Sequence, residues 1–118
     1  MSPRPGRLVV LSGPSGVGKT TVGEALLKGN RRLRRSVSVT TRPRRPGERQ
    51  GLDYHFVTET EFRALLRRGE FLEHARVHHR RYGTLRVPTE TALKKGGDLL
   101  LVIDVQGARQ IRRKAPGA

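Results

Sequence analysis

The octet Gly13, Pro14, Ser15, Gly16, Val17, Gly18, Lys19 and Thr20 restricts the possible folds of this chain more than any other feature. It satisfies G-x-x-x-x-G-K-[ST], a pattern that works only where a buried strand turns directly into a helix. Both flanks comply. Residues 8–12 are a short apolar run suited to a buried parallel strand, and residues 20–28 place Val22, Ala25, Leu26 and Leu27 at helical spacing before Gly29 and Asn30. At this chain's residue frequencies a chance match is on the order of one in a hundred. Glycines in such a loop let successive N–H groups converge on phosphate oxygens, and the helix adds the positive end of its dipole. The expectation is a nucleoside triphosphate site, with Lys19 reaching the β- and γ-phosphates and the Thr20 hydroxyl on a magnesium ion.

Further along, residues 31–35 carry no clear pattern, and residues 36–39 alternate briefly. Residues 40–53 hold prolines, glycines and arginines without periodicity, and a connection that long inside a compact domain is usually functional. Residues 54–57 read as a strand. Thr58 and Glu61 form a capping box for a helix with Phe62, Leu65 and Leu66 on its apolar face, ended by Gly69. Residues 70–82 predict one or two strands, Pro88 is well placed for the first turn of a helix through Leu93, and residues 99–103 are a second buried strand ending at Asp104. A last helix spans 105–114. The order predicts an α/β fold: a phosphate-loop parallel-sheet core, residues 8–35 and 88–118, with an inserted α+β subdomain at 36–87. Only two buried core strands are legible, so the domain, counted from residue 6 to 118, is expected to be incomplete at its C-terminal end.

Composition excludes several chemistries. There is no cysteine, hence no disulfide, thiolate catalysis or cysteine-ligated zinc. His74, His78 and His79 lack partners at metal-ligand spacing and read as polar strand or loop residues. No apolar run approaches the ~20 residues of a membrane span, and residues 8–11 are too short for a signal-peptide core, so a cytoplasmic protein without membrane contact is expected. The balance of 25 basic against 10 acidic residues attracts polyanions. Those bases are scattered, and two tyrosines and three phenylalanines make no stacking platform. Specific nucleic-acid recognition is therefore not expected, while weak non-specific attraction stays open, and the sequence carries nothing on oligomeric state.

Two further sets carry chemistry. Asp104, delivered by an apolar strand, has the form of the acid that accompanies a phosphate loop. Ser38, Arg42, Arg45 and Tyr54 could hold a monophosphate through guanidinium forks and hydroxyls, or could be a solvated basic loop; composition leaves these even.

The segments LSGPSGVGKT (11–20), SVSVTTRPRRPGE (36–48), GLDYHFV (51–57), EFLE (70–73), YGT (82–84) and IDVQG (103–107) resemble guanylate kinase, in that family's order and spacing. The resemblance implies ATP and GMP as substrates, dGMP staying open, with transfer of the ATP γ-phosphoryl group to give ADP and GDP. It implies Ser38, Arg42, Arg45 and Tyr54 on the GMP phosphate, with Tyr82 nearby. Glu73 would accept from the guanine N1–H and amine, Thr84 would meet O6, and Asp104 would complete the set, touching magnesium through a water. Lys19 and Arg42 become the catalytic residues, and 36–87 the GMP-binding subdomain. The family usually carries an acid two positions before Asp104, where this chain has Val102. Its pattern also continues past Ala118 into a further strand and a lid bearing arginines. One arginine at such a transition state is worth ~10³–10⁵ in rate, so the 118 residues alone are expected to keep ligand contacts and lose most turnover. A guanylate-kinase-like binding module without catalysis is the alternative, and a basic nucleic-acid-associated ATPase a third.

Overall fold

The structure is a computed structural model that describes residues 5–13 and 19–114. In chain order its elements are β1 (Leu8–Ser12), α1 (Lys19–Gly29), β2 (Leu33–Arg35), β3 (Val39–Thr40), β4 (His55–Phe56), α2 (Glu59–Arg67), β5 (Phe71–Val77), β6 (Arg80–Leu85), α3 (Arg86–Lys94), β7 (Asp98–Ile103) and α4 (Val105–Lys114). They form two sheets, one parallel with order β1-β7-β2, the other of order β4-β3-β6-β5 with a single parallel pair, β3 with β4. None of the helices among the described residues is long and apolar enough to cross a membrane.

The parallel sheet follows from one apolar run. In β7, Leu99, Leu100, Leu101 and Ile103 are all buried, as a strand flanked on both sides and covered on both faces must be. Leu99, Leu101 and Ile103 pack with Ile111 of α4, against Leu8 and Val10 of β1 and Ala92 and Leu93 of α3. Leu100 and Leu101 are 0% and 1% exposed, and full burial of a leucine contributes ~1.5–3 kcal/mol.

The core has three strands where the sequence suggested two. Residues 33–35 pair in parallel with β7, Leu33 opposite Asp98 and Arg35 opposite Leu100. Only Leu33 is buried; Arg34 is exposed, and the Arg35 guanidinium donates to the carbonyls of Leu52 and Asp53 at 2.9 and 2.8 Å. An edge strand with one inward residue has no alternation to detect, and backbone pairing with a buried neighbour overrides its weak propensity. The alternating segment 36–39 is likewise mostly a crossover between the sheets, and only its last residue, Val39, enters β3.

The second sheet packs against α2. Phe62 stacks on Phe71, with ring centroids 4.5 Å apart, beside Val39. Gly83 on β6 is required there, because a Cβ would come within 2.6 Å of the Phe71 ring. The capping box is present, Thr58 Oγ1 accepting from Glu61 N and Glu61 Oε1 from Thr58 N. Helix α3 starts at Arg86 and so holds Pro88 in its first turn, as the sequence suggested, where its missing N–H costs nothing.

Helix α4 joins the two sheets. Among the described residues, strand β5 pairs only with β6, so one edge of it carries no strand. Along that edge Gln106 Nε2 donates to Arg76 O (3.1 Å), Gln110 Nε2 to His74 O (2.6 Å) and Lys114 Nζ to Leu72 O (2.7 Å). His74 N returns a bond to Gln110 Oε1 at 2.9 Å. Four helical residues rise about 6.0 Å and two strand residues about 6.6 Å, so side chains at i, i+4 and i+8 meet every second carbonyl.

Candidate active site

The parallel register brings two of the expected functional points together. Ser12 pairs with Ile103, so the next residues, Gly13 and Asp104, leave the sheet side by side at its carboxyl end, where open α/β sheets bind ligands. Lys19 is the first residue of α1 and is partly buried. Pro14, Ser15, Gly16, Val17 and Gly18 lie outside the described residues, as does the Thr20 side chain. Asp104 precedes α4 and caps it: Oδ1 accepts from Gln106 N at 2.7 Å and the carbonyl from Ala108 N at 3.0 Å. The second carboxylate oxygen makes no hydrogen bond among the described residues.

The long loop presents Arg42 in a defined setting. Its Nη1 and Nη2 donate to Glu48 Oε1 and Oε2 at 3.0 and 2.8 Å, and Nη1 also to Pro43 O at 3.0 Å. The guanidinium carbon lies 5.0 Å from the Tyr54 ring centroid, and Tyr54 meets Tyr82 at 6.1 Å. Arg42, Tyr54 and Tyr82 therefore converge. Ser38 is adjacent through its carbonyl, which accepts from His55 N at 2.8 Å. Arg45 stands apart: its backbone N donates to Glu48 Oε1 at 2.8 Å while the residue itself is exposed. The Arg42 fork, then the Arg45 amide, hold the Glu48 carboxyl down to about 2, and Glu48 in turn raises Arg42 further above its ordinary value. Sequence reasoning assigned Glu48 no role. An acid set among the arginines of the loop, six residues from Arg42, was the available signal.

The second sheet supplies a different kind of site. Glu73 on β5 and Thr84 on β6 are direct cross-strand partners, 2% and 1% exposed. Among the described residues, Glu73 Oε2 and Thr84 Oγ1 have no hydrogen-bond partner. Unpaired buried polar atoms are uncommon, and each calls for an explanation such as strain, a functional role or a bound water or ion. Burial pushes the Glu73 carboxyl up to about 7; the Asp104 carboxylate adds to this, and the Lys114 ammonium opposes it. Gly107 on α4 makes room for the group, since a Cβ there would stand 2.8 Å from Glu73 Oε1. Neither Gly107 nor the Gln110 contact was anticipated; both depend on how α4 docks.

A family model described as guanylate kinase matches residues 5–118. The guanylate kinase of Alkalilimnicola ehrlichii is 50% identical over 113 residues, which are 96% of this chain and 56% of that protein. That of Thiobacillus denitrificans is 53% identical over 112 residues, 95% of this chain and 54% of its own. Among solved structures, guanylate kinase from Anaplasma phagocytophilum superposes with a TM-score of 0.81 at 41% identity, covering 98% of this chain and 57% of that one. The chain thus spans about half the length of the curated relatives it matches.

Proposed function

The chain belongs to the guanylate kinase family, and on that premise we propose that it carries the nucleotide sites of an enzyme that transfers the ATP γ-phosphoryl group to GMP, giving ADP and GDP. The observation that carries this reading is the buried pair Glu73 and Thr84 with its unpartnered oxygens. A carboxylate facing the guanine N1–H and exocyclic amine satisfies two donors, and the Thr84 hydroxyl meets O6. Adenine presents an acceptor at N1 and leaves the carboxylate unpaired, at ~1–3 kcal/mol, or roughly tenfold to a hundredfold in discrimination.

Arg42, Arg45, Ser38, Tyr54 and Tyr82 take the GMP phosphate, and residues 36–87 form the GMP-binding subdomain set into a core of 8–35 and 88–118. Gly13 to Thr20 take the ATP phosphates, with Lys19 on the β,γ-oxygens. Transfer is direct and in line, so no protein nucleophile is needed; the chain's part is to orient donor and acceptor and to meet the charge on the moving group. Asp104 offers a hard carboxylate oxygen, free of its capping bond, at the carboxyl end of the sheet, which suits magnesium through a water, with the Thr20 hydroxyl as the second donor. When bound, that ion supplies charge neutralisation on the β,γ-phosphates. The setting is the cytoplasm.

A protein carrying this sequence is assayed with ATP against GMP, dGMP, AMP, CMP and UMP. GDP formation with no use of AMP, CMP or UMP is expected. Preference for a non-guanine acceptor would reject the reading.

A further inference from the structure

Glu48 lies in the loop that carries Arg42 and Arg45 and has no task in the reading above, and every polar part of it is engaged by residues 42–45. Its two carboxylate oxygens take the Nη tips of Arg42, Oε1 also takes the Arg45 N–H, its own N–H donates to Arg45 O at 3.0 Å, and its carbonyl accepts from Arg44 Nη1 at 2.8 Å. The pair is partly enclosed, with 11% and 21% of the Arg42 and Glu48 side chains exposed. A guanidinium has five N–H groups in one plane. Glu48 and Pro43 use those on the tips, and among the described residues Nε–H and the second Nη2–H make no hydrogen bond that meets the geometry of one. These two lie parallel on one edge of the group, the arrangement that binds phosphate bidentately.

We propose that Glu48 is a positioning residue for the acceptor phosphate: by holding the tips of Arg42 and the amide of Arg45, it turns the free Nε/Nη2 edge of Arg42 outward as an anion clamp. The proposal rests on the guanylate kinase reading of this loop. The opposite role, an internal anion that the phosphate must displace, fits less well. Glu48 occupies the tips rather than the edge, and displacing it would break three hydrogen bonds inside the loop. Its carboxyl also stays ionised through the neutral range.

The test compares the full chain with Glu48→Gln, Glu48→Asp, Arg42→Ala and the Arg42→Ala/Glu48→Gln pair, titrating GMP and guanosine by calorimetry at neutral pH. For Glu48→Gln the expected result is GMP binding weakened roughly tenfold with guanosine binding unchanged. Glu48→Asp, which keeps the charge, recovers part of the loss, and the double variant is no weaker than Arg42→Ala alone. GMP binding as tight as the parent's, or tighter, in Glu48→Gln would overturn the proposal, and so would equal losses for GMP and guanosine, which mean collapse of the loop. If Arg42→Ala itself leaves GMP binding intact, the phosphate reading of the loop fails, and Glu48 falls with it.

Discussion

The parallel sheet and the mixed sheet of this chain are built by different forces. In β1-β7-β2 a continuous apolar strand is buried on both faces, and side chains of Leu, Val and Ile do nearly all the work. In β4-β3-β6-β5 two of the strands, β3 and β4, are only two residues long. Their alignment comes from polar links: Thr40 Oγ1 to Arg81 O, Arg81 N to Thr41 Oγ1, Phe56 N to Gln50 Oε1, and Arg81 Nε to Glu59 Oε1. A sheet assembled by burial tolerates a changed charge and resents a changed volume. A sheet assembled by directed bonds does the reverse, and its buried unpaired groups leave it responsive to ligand and pH.

The largest test of that contrast is Leu101→Ala in β7. At 1% exposure it is expected to lower stability by about 3 kcal/mol in urea unfolding, within the usual ~2–5 for such truncations. A loss below about 1 kcal/mol would show that the parallel sheet does not depend on volume.

Next comes pH. The Glu73 carboxyl sits at about 7 when folded against 4.5 when exposed. The folded chain therefore keeps its proton to higher pH. The associated stability is fully present below about 4.5 and is lost as pH rises through about 7, an effect on the order of 3 kcal/mol. Thermal melts between pH 4.5 and 8 should show this fall in the parent and not in Glu73→Gln. Parallel profiles for the two proteins would remove Glu73 as the cause.

What the sequence disclosed divides along the same line. The phosphate-loop flanks, the β7 run, the Thr58–Glu61 box and both bounds of α4 were legible because each rests on local chemistry or on periodic burial. Strand β2 was not, since Leu33-Arg34-Arg35 owes its form to a neighbour 65 positions away from Leu33, at Asp98. Of the candidate site, the sequence named Glu73, Thr84, Arg42 and Tyr54, the specific roles coming through family resemblance. It could not show that Glu73 and Thr84 are buried and unpaired, that Glu48 holds Arg42, or that Gly107 opens the space for Glu73. Each of those is a long-range packing fact.

Two smaller changes sharpen the comparison. Thr58→Ala removes the side-chain half of the capping box and should destabilise by about 1 kcal/mol, a loss no change of hydrophobic volume would explain. A null effect in chemical denaturation would argue that α2 is held by Phe62 alone. The smallest effect concerns the β5–β6 turn, where His78 and His79 adopt φ of 51° and 66°. Asn and Gly suit such a turn, so replacing the pair by Asn-Gly should stabilise by about 0.5–1 kcal/mol, read as a raised melting temperature. An unchanged or lowered value would mean the histidines adopt that backbone without strain.

The seam between α4 and β5 has a mechanical consequence. Asp104 at the head of the helix and Glu73 on the strand are linked through the rungs between α4 and β5, so in the proposed enzyme the distance from phosphate chemistry to base reading follows from helix pitch along that seam. Swapping Gln106, Gln110 or Lys114 singly unfastens one rung. Inserting one residue near the middle of α4 would turn everything after it by about 100°, unzip the rungs beyond that point together, and leave both ends of the active centre intact but out of gauge.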